Sequence, residues 1–158
     1  MYDIIGDIHG HGDELNCLLT QLGYKDLGKG YCHESRKVIF LGDFIDRGEE
    51  LAQHKMVLIT VISMVKNQQA QAVMGNHEFN ALAYHTRHEG EFLRPHNDDN
   101  KRQHQAFLNE FPEDSEEKRE VLEFFIGLPL WLDFGDLRIV HACWDDRQIE
   151  ILKSVCPS

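Results

Sequence analysis

The sequence predicts an α/β fold on a parallel sheet, because three short apolar runs each end in glycine and each leads into a stretch with helical spacing. The runs lie at residues 2–6, at 38–41 before Gly42, and at 72–74 before Gly75. Strand, loop and helix repeated three times imply right-handed crossovers. Such sheets gather ligands beyond the carboxyl ends of their strands. The loops at 7–12, 42–48 and 75–78 are therefore expected to meet.

Taken in order, the first strand is followed by Leu15, Leu18, Leu19 and Leu22 on one helical face, with Gly23 as the stop. The second leads to a helix expected over 49–67, with Leu51, Leu58, Ile62 and Val65 aligned, and the third to a helix over 78–87. Residues 88–105 turn polar around Pro95 and the run from His96 to Asn100, which reads as a surface excursion. A helix returns over 115–126, where Ser115 can cap it and Val121, Leu122, Phe124 and Phe125 supply an apolar side. Residues 131–134 and 137–140 then flank Gly135-Asp136 as a hairpin. Gly23 to Gly30 spells G-x-x-x-x-G-K-G, but it follows a helix and lacks the hydroxyl that would hold magnesium, so it is read as a loop.

With 158 residues, 42% of them hydrophobic, the chain can bury one core, and a single domain over 1–158 is expected. Sixteen basic against 27 acidic residues give a formal charge of -11, which excludes duplex nucleic acid held through its phosphates as a partner. The four cysteines, Cys17, Cys32, Cys143 and Cys156, form no Cys-x-x-Cys pair and read as reduced thiols. Neither a signal-like start nor a membrane-length apolar run occurs, so the expectation is a cytoplasmic protein without membrane contact.

The chemistry concentrates in the three loops: Gly6-Asp7-Ile8-His9-Gly10, Gly42-Asp43-Phe44-Ile45-Asp46-Arg47-Gly48 and Gly75-Asn76-His77-Glu78. Glycine lets each strand turn sharply, so that the next side chain enters the crevice. Asp7 and His9 are two apart and can grip one cation with an oxygen and a nitrogen. Asp43 can offer one oxygen to each of two cations, and Asn76 a neutral oxygen to the second.

These blocks, GDIHG, GDFIDRG and GNHE in this order and spacing, resemble the calcineurin-like metallophosphoesterases, and within them the phosphoprotein phosphatase branch with its bacterial members. The resemblance spans residues 3 to about 144. It implies an α-β-β-α sandwich, two sheets flanked by helices, with the C-terminal part of the family domain missing here. It also implies two divalent metal ions, Mn2+ first, with Fe, Zn, Ni or Mg as alternatives. Asp7, His9 and Asp43 would hold one ion; Asp43, Asn76 and His141 would hold the other. His77 resembles the general acid, paired with Asp46, and Arg47 the phosphate clamp, with Asn76 also contacting substrate. A carboxylate partner keeps an imidazole protonated, and a guanidinium fork matches phosphate oxygens.

The implied reaction is in-line attack on phosphorus by a metal-bridging hydroxide, without a covalent phosphoenzyme. The implied substrate is a phosphorylated partner, phosphoprotein or nucleotide. A bacterial-type serine/threonine protein phosphatase comes first. The alternatives are a dinucleoside polyphosphate (diadenosine tetraphosphate) hydrolase, which the opening YDIIGDIHG also resembles, and a truncated metal- and phosphate-binding module with little activity. The chain departs from the family in having no histidine after His141, only Arg147 as a late arginine, and His-Ala-Cys where His-Gly-Gly is frequent. His11, His33, His54, His85, His88, His96 and His104 are read as surface or satisfied core residues.

Overall fold

The computed structural model describes residues 1–47 and 53–155. Strand β1 (Tyr2–Ile5) leads into α1 (Gly12–Gln21), followed by a short antiparallel pair, β2 (Lys25–Asp26) and β3 (Tyr31–Cys32). Next come β4 (Lys37–Phe40), α2 (His54–Lys66), β5 (Ala70–Ala72) and α3 (Asn76–His85). A small hairpin, β6 (Arg87–His88) with β7 (Glu91–Phe92), precedes α4 (Asp98–Gln103), α5 (Gln105–Glu110) and α6 (Glu116–Ile126). A second hairpin, β8 (Trp131–Asp133) with β9 (Arg138–Val140), leads to α7 (Asp146–Val155).

The central sheet is parallel, with the order β1-β4-β5. Its register places Ile5 beside Phe40 and Phe40 beside Ala72, so the three strands end level and their loops leave from one edge. Alternation then gives the sheet two faces. On one, Ile5, Val38 and Phe40 pack with Leu15 and Leu19 of α1, with Val57, Leu58, Val61 and Met64 of α2, and with Phe107 and Phe125 from α5 and α6. Fully burying side chains of this size stabilises by about 1.5–3 kcal/mol each. On the other face, Ile39 and Val73 meet Ile139, with Leu132 and Leu137 against them. The β8–β9 hairpin thus covers the face away from the helices, and among the described residues it is what represents the second sheet of the expected sandwich.

Several local expectations shift. The third strand pairs over Ala70–Ala72, two residues earlier than predicted. Val73 still donates its N–H to the Phe40 carbonyl, but Met74 turns its N–H to Pro129. Helix α3 begins at Asn76 and ends at His85, because Thr86 is extended and Arg87 enters the β6–β7 hairpin. The expected start of the second helix at Glu49 lies outside the described residues; within them α2 begins at His54. Helix α6 follows the expected cap, the Ser115 hydroxyl accepting from Lys118 N at 3.2 Å. The polar stretch 88–105 is not plain surface, since it is built into β7 and α4 and carries a fully buried His104. Helix α7 has no counterpart in the sequence reading.

Candidate metal centre and active site

The three loops are sewn together by backbone. The N–H groups of Ile8 and His9 both donate to the Asp43 carbonyl, at 2.9 and 3.0 Å, and Gly10 N–H donates to Phe44 at 2.9 Å. Gly42 and Gly75 touch so closely that a Cβ on Gly42 would run into the Gly75 backbone and one on Gly75 into Asp43. Here glycine is required by space, and at Gly42 also by its φ of 88°. The junction is fixed by Glu78, which is fully buried: its carboxylate accepts from Asp43 N and Phe44 N at 2.8 Å each and from Gly75 N at 3.0 Å. Burial pushes this carboxyl up to about 7, against the opposing pull of those three N–H donors. Four non-glycine residues in these loops sit at positive φ: His9 (45°), Asp43 (53°), Asp46 (64°) and Arg47 (80°). Backbone in that region costs of order 1–3 kcal/mol per residue, so the surroundings must hold it there.

Asp43 is the focus. It is only 4% exposed, and its Oδ1 accepts from His77 N at 3.0 Å. Around its Oδ2 stand the Nε2 atoms of His141 at 3.4 Å, His9 at 3.8 Å and His77 at 4.0 Å. Asp7 Oδ2 lies 3.6 Å from His9 Nε2, and Asn76 Oδ1 lies 3.1 Å from His141 Nε2. Two of the imidazoles have their tautomers fixed from behind. His9 Nδ1 meets the Ile45 carbonyl at 3.0 Å and His141 Nδ1 meets the Leu41 carbonyl at 2.7 Å. A carbonyl only accepts, so each Nδ1 carries the proton and each Nε2 presents a lone pair to the crevice.

Lone pairs of His9, His141, Asp7, Asp43 and Asn76 thus converge on one space. That is the donor set of a divalent cation site, and ring nitrogens anchored by backbone carbonyls are the usual support for metal-binding histidines. Two groups have their ligand atoms within 4.8 Å of one another, His9–Asp43–His77 and Asp7–Asp43–His141, and Asp43 belongs to both. The residues present fit cations at a shared Asp43, though these groups set Asp7 with His141 and His9 with His77 rather than Asp7 with His9.

Arg47 is exposed and reaches into the same space, its Nη1 3.2 Å from His9 Nε2 and 3.7 Å from Asp7 Oδ2. The His77 ring stands edge-on to His9 with centroids 4.8 Å apart. Burial holds the His77 imidazole below its ordinary range, against the pull of Asp43. Asp46 differs from expectation. Its Oδ2 takes His104 Nδ1 at 2.7 Å, its Oδ1 has no partner among the described residues, and its hydrogen-bond partner is therefore His104 rather than His77. His54 is another residue passed over in the sequence. It accepts from Asp46 N–H at 2.8 Å through Nε2 and donates from Nδ1 to Glu110 at 2.7 Å. Neither His54 nor His104 has a neighbouring sequence signal that would mark it; both are recognisable only once α5 is seen packed beneath the second loop.

A three-stranded parallel sheet with metal-ligand side chains at its carboxyl edge defines a metallophosphoesterase-like centre. The calcineurin-like phosphoesterase family description matches residues 2–154, and the chain belongs to that family. Its curated relatives include the asymmetrical bis(5'-nucleosyl)-tetraphosphatase PrpE of Halalkalibacterium halodurans, 44% identical over 78 residues covering 48% of this chain and 30% of that protein. The enzyme of the same name from Anoxybacillus flavithermus is 45% identical over 78 residues, 49% of this chain and 31% of that protein. The chain spans less than a third of the length of these relatives. Among solved structures, a protein carrying the provisional name diadenosine tetraphosphatase superposes with a TM-score of 0.55 at 19% identity, over 90% of this chain and 50% of that one. A serine/threonine phosphatase of Saccharomyces cerevisiae gives 0.51 at 16% identity, over 82% and 33%. At these identities the likeness is one of fold.

Proposed function

We propose that this chain is a metal-dependent phosphoesterase working on two divalent ions, Mn2+ first, that share Asp43. Asp7, His9 and Asp43 would hold one ion; Asp43, Asn76 and His141 would hold the other. The observation that carries this reading is the crowd of imidazole Nε2 atoms around Asp43 Oδ2, with His9 and His141 locked into the lone-pair-forward tautomer. When bound, the ions supply Lewis acidity toward phosphoryl oxygens and lower the pKa of water at the site.

The chain's own groups do the rest. Arg47, on the exposed rim, offers its fork to phosphate oxygens, and the Asn76 amide lies beside them. His77 stands over Asp43 as the proton donor to the leaving oxygen, with Asp46 on the second loop as its expected carboxylate partner. Loops tied by Glu78 keep these groups in register, so that little reorganisation accompanies the reaction. Residues 1–158 would form one domain, acting in the cytoplasm. Its free thiols Cys17, Cys32 and Cys143 agree with this, and among the described residues no helix is long and apolar enough to cross a membrane. Its acidity argues against duplex nucleic acid as a partner.

For the substrate, the curated relatives favour a dinucleoside tetraphosphate. A phosphoserine or phosphothreonine protein is the second reading, favoured by the GDFIDRG and GNHE blocks as they stand here. Turnover of diadenosine tetraphosphate should be compared with that of a phosphoserine peptide at equal Mn2+, with a chelator control. Faster, chelator-sensitive cleavage of the dinucleotide supports the first reading, and the reverse order the second. Failure to cleave either, with Mn2+ or any of the alternative metals, removes both.

A further inference from the structure

Asp46 is held from two sides, and both holds come from outside the three loops. Its backbone N–H donates to His54 Nε2 at 2.8 Å, and His54 is fixed in turn by Glu110, which also accepts from the N–H groups of His54 and Lys55 at 2.8 and 3.0 Å. Its carboxylate accepts from His104 Nδ1 at 2.7 Å. His104 and His54 are fully buried and Asp46 is 3% exposed, so these contacts are dry and individually strong. The His104 ring is fixed by stacking on Phe107, with centroids 4.7 Å apart and planes 15° off parallel, and by Tyr84 at 5.0 Å.

Behind His104 stands His85, Nε2 to Nε2 at 3.2 Å. Only one proton fits between two nitrogens at that distance. Whichever ring owns it, Nδ1–H of His104 remains pointed at Asp46. His85 opens onto a cavity of about 690 Å³ lined also by Arg87, His96 and Lys118, so the pair runs from the buried carboxylate to solvent.

We propose that His104, backed by His85, is a positioning residue for hydrolysis: it occupies Oδ2 of Asp46 and leaves Oδ1 as the one acceptor that carboxylate presents. Oδ1 is buried and has no partner among the described residues, which is costly unless something in the crevice donates to it. With Oδ2 taken by His104, the Asp46 carboxylate cannot rotate to present its two oxygens in turn. Any donor that reaches Oδ1, the proposed acid His77 included, then meets it in one geometry. The positive φ of Asp46 and of Arg47 supplies the reason for two clamps, since strained backbone persists only where its surroundings over-determine it.

The proposal rests on the phosphoesterase reading, and its test has one arm that does not need activity. In protein labelled with 15N at histidine and free of added metal, long-range proton–nitrogen NMR should show His104 protonated at Nδ1. That proton should be far downfield and slow to exchange, and Asp46→Asn should move it back toward the ordinary range. A His104 protonated only at Nε2 overturns the proposal whatever the enzyme does. In the kinetic arm, His104→Phe keeps the stacked ring but deletes the donor. It should lower kcat on phenyl phosphate by about 10–100-fold with KM and Mn2+ affinity within about twofold, as expected of a group one step removed from the reacting atoms. His104→Asn can place an amide N–H where Nδ1 stood and should restore most of the loss. Equal losses in both variants that track their melting temperatures, or no loss in either, overturn the proposal. If the unaltered chain hydrolyses nothing with Mn2+, the phosphoesterase reading fails separately, and the NMR arm still decides the Asp46–His104 pairing.

Discussion

Replacing Glu78 by glutamine changes one atom and should cost much of the site. In the structure the carboxylate faces three backbone N–H donors, two on Oε2 and one on Oε1, with no other kind of partner among the described residues. A glutamine amide can turn its oxygen to the Asp43 and Gly75 donors, but its NH2 must then face the N–H of Phe44, donor against donor, at a fully buried position. The loss combines a charge-assisted hydrogen bond, about 1.5–3 kcal/mol, with an unsatisfied buried donor, about 1–3 kcal/mol, and these overlap. A net of about 2–4 kcal/mol follows, a large share of the roughly 5–15 kcal/mol that holds such a domain. For a chain of this size that corresponds to a fall in Tm of about 5–15 °C, measured by far-UV circular dichroism in the presence of chelator. The side chain keeps its volume, so no cavity contributes. A Tm within about 2 °C of the parent would refute the claim that this carboxylate ties the second and third loops together.

Asp43→Asn should remove charge shared by both ion sites, so activity should drop by more than the roughly 10–100-fold typical of losing a partner one step from a metal, with the fold retained. Near-normal turnover and metal content would show that no shared site exists. In a Mn2+ titration by calorimetry, His9→Ala should abolish or weaken one binding event and His141→Ala a different one, because the two histidines approach Asp43 as members of separate groups; identical effects would mean one site. His85 carries the pH dependence: burial, Lys118 and His104 hold it at about 4 against an ordinary 6.5. Between those values the unfolded chain binds the extra proton, so stability should fall as pH drops from about 6.5 toward 4. The ceiling of about 3 kcal/mol reduces to about 1–2 because the ring is partly exposed. His85→Gln should flatten urea midpoints across that window, and an unchanged slope would assign the effect to other groups.

The parts of the site legible in the sequence are those where local backbone demands and ligand chemistry coincide. Gly42 and Gly75 announce their turns because nothing larger fits, and Asp7, His9, Asp43, Asn76 and His77 follow such turns directly. Strand existence was legible for the same reason, whereas the pairing of β5 was not. Ala72-Val73-Met74 is the more apolar triplet, but the ladder to β4 runs over Ala70–Ala72, and Val73 belongs to the opposite face with Ile139. His104 and Glu110 were hidden for a different reason. His104 sits in a polar stretch with no period and Glu110 just beyond it, and their positions are set by Phe107, an apolar residue buried in the core. A histidine whose partner is 58 positions away leaves no local trace.

The loops themselves explain why so much support lies outside them. Lone pairs of five side chains face one another across the crevice, and four non-glycine residues stand at positive φ. Acceptors aimed at acceptors repel, and each strained residue adds its own cost, so this arrangement would relax if the loops were free. It is kept by donors that cannot be satisfied elsewhere: the N–H groups of Ile8 and His9 on the Asp43 carbonyl, three N–H groups on Glu78, and Asp46 N–H on His54. Cations would relieve the repulsion among the acceptors without movement of the chain. A crevice stiff enough to stay acceptor-rich would bind divalent ions with little rearrangement. The helices α5 and α6, which bury Phe107 and Phe125 in the core though remote from the chemistry in sequence, are in this sense what holds the three short motifs together.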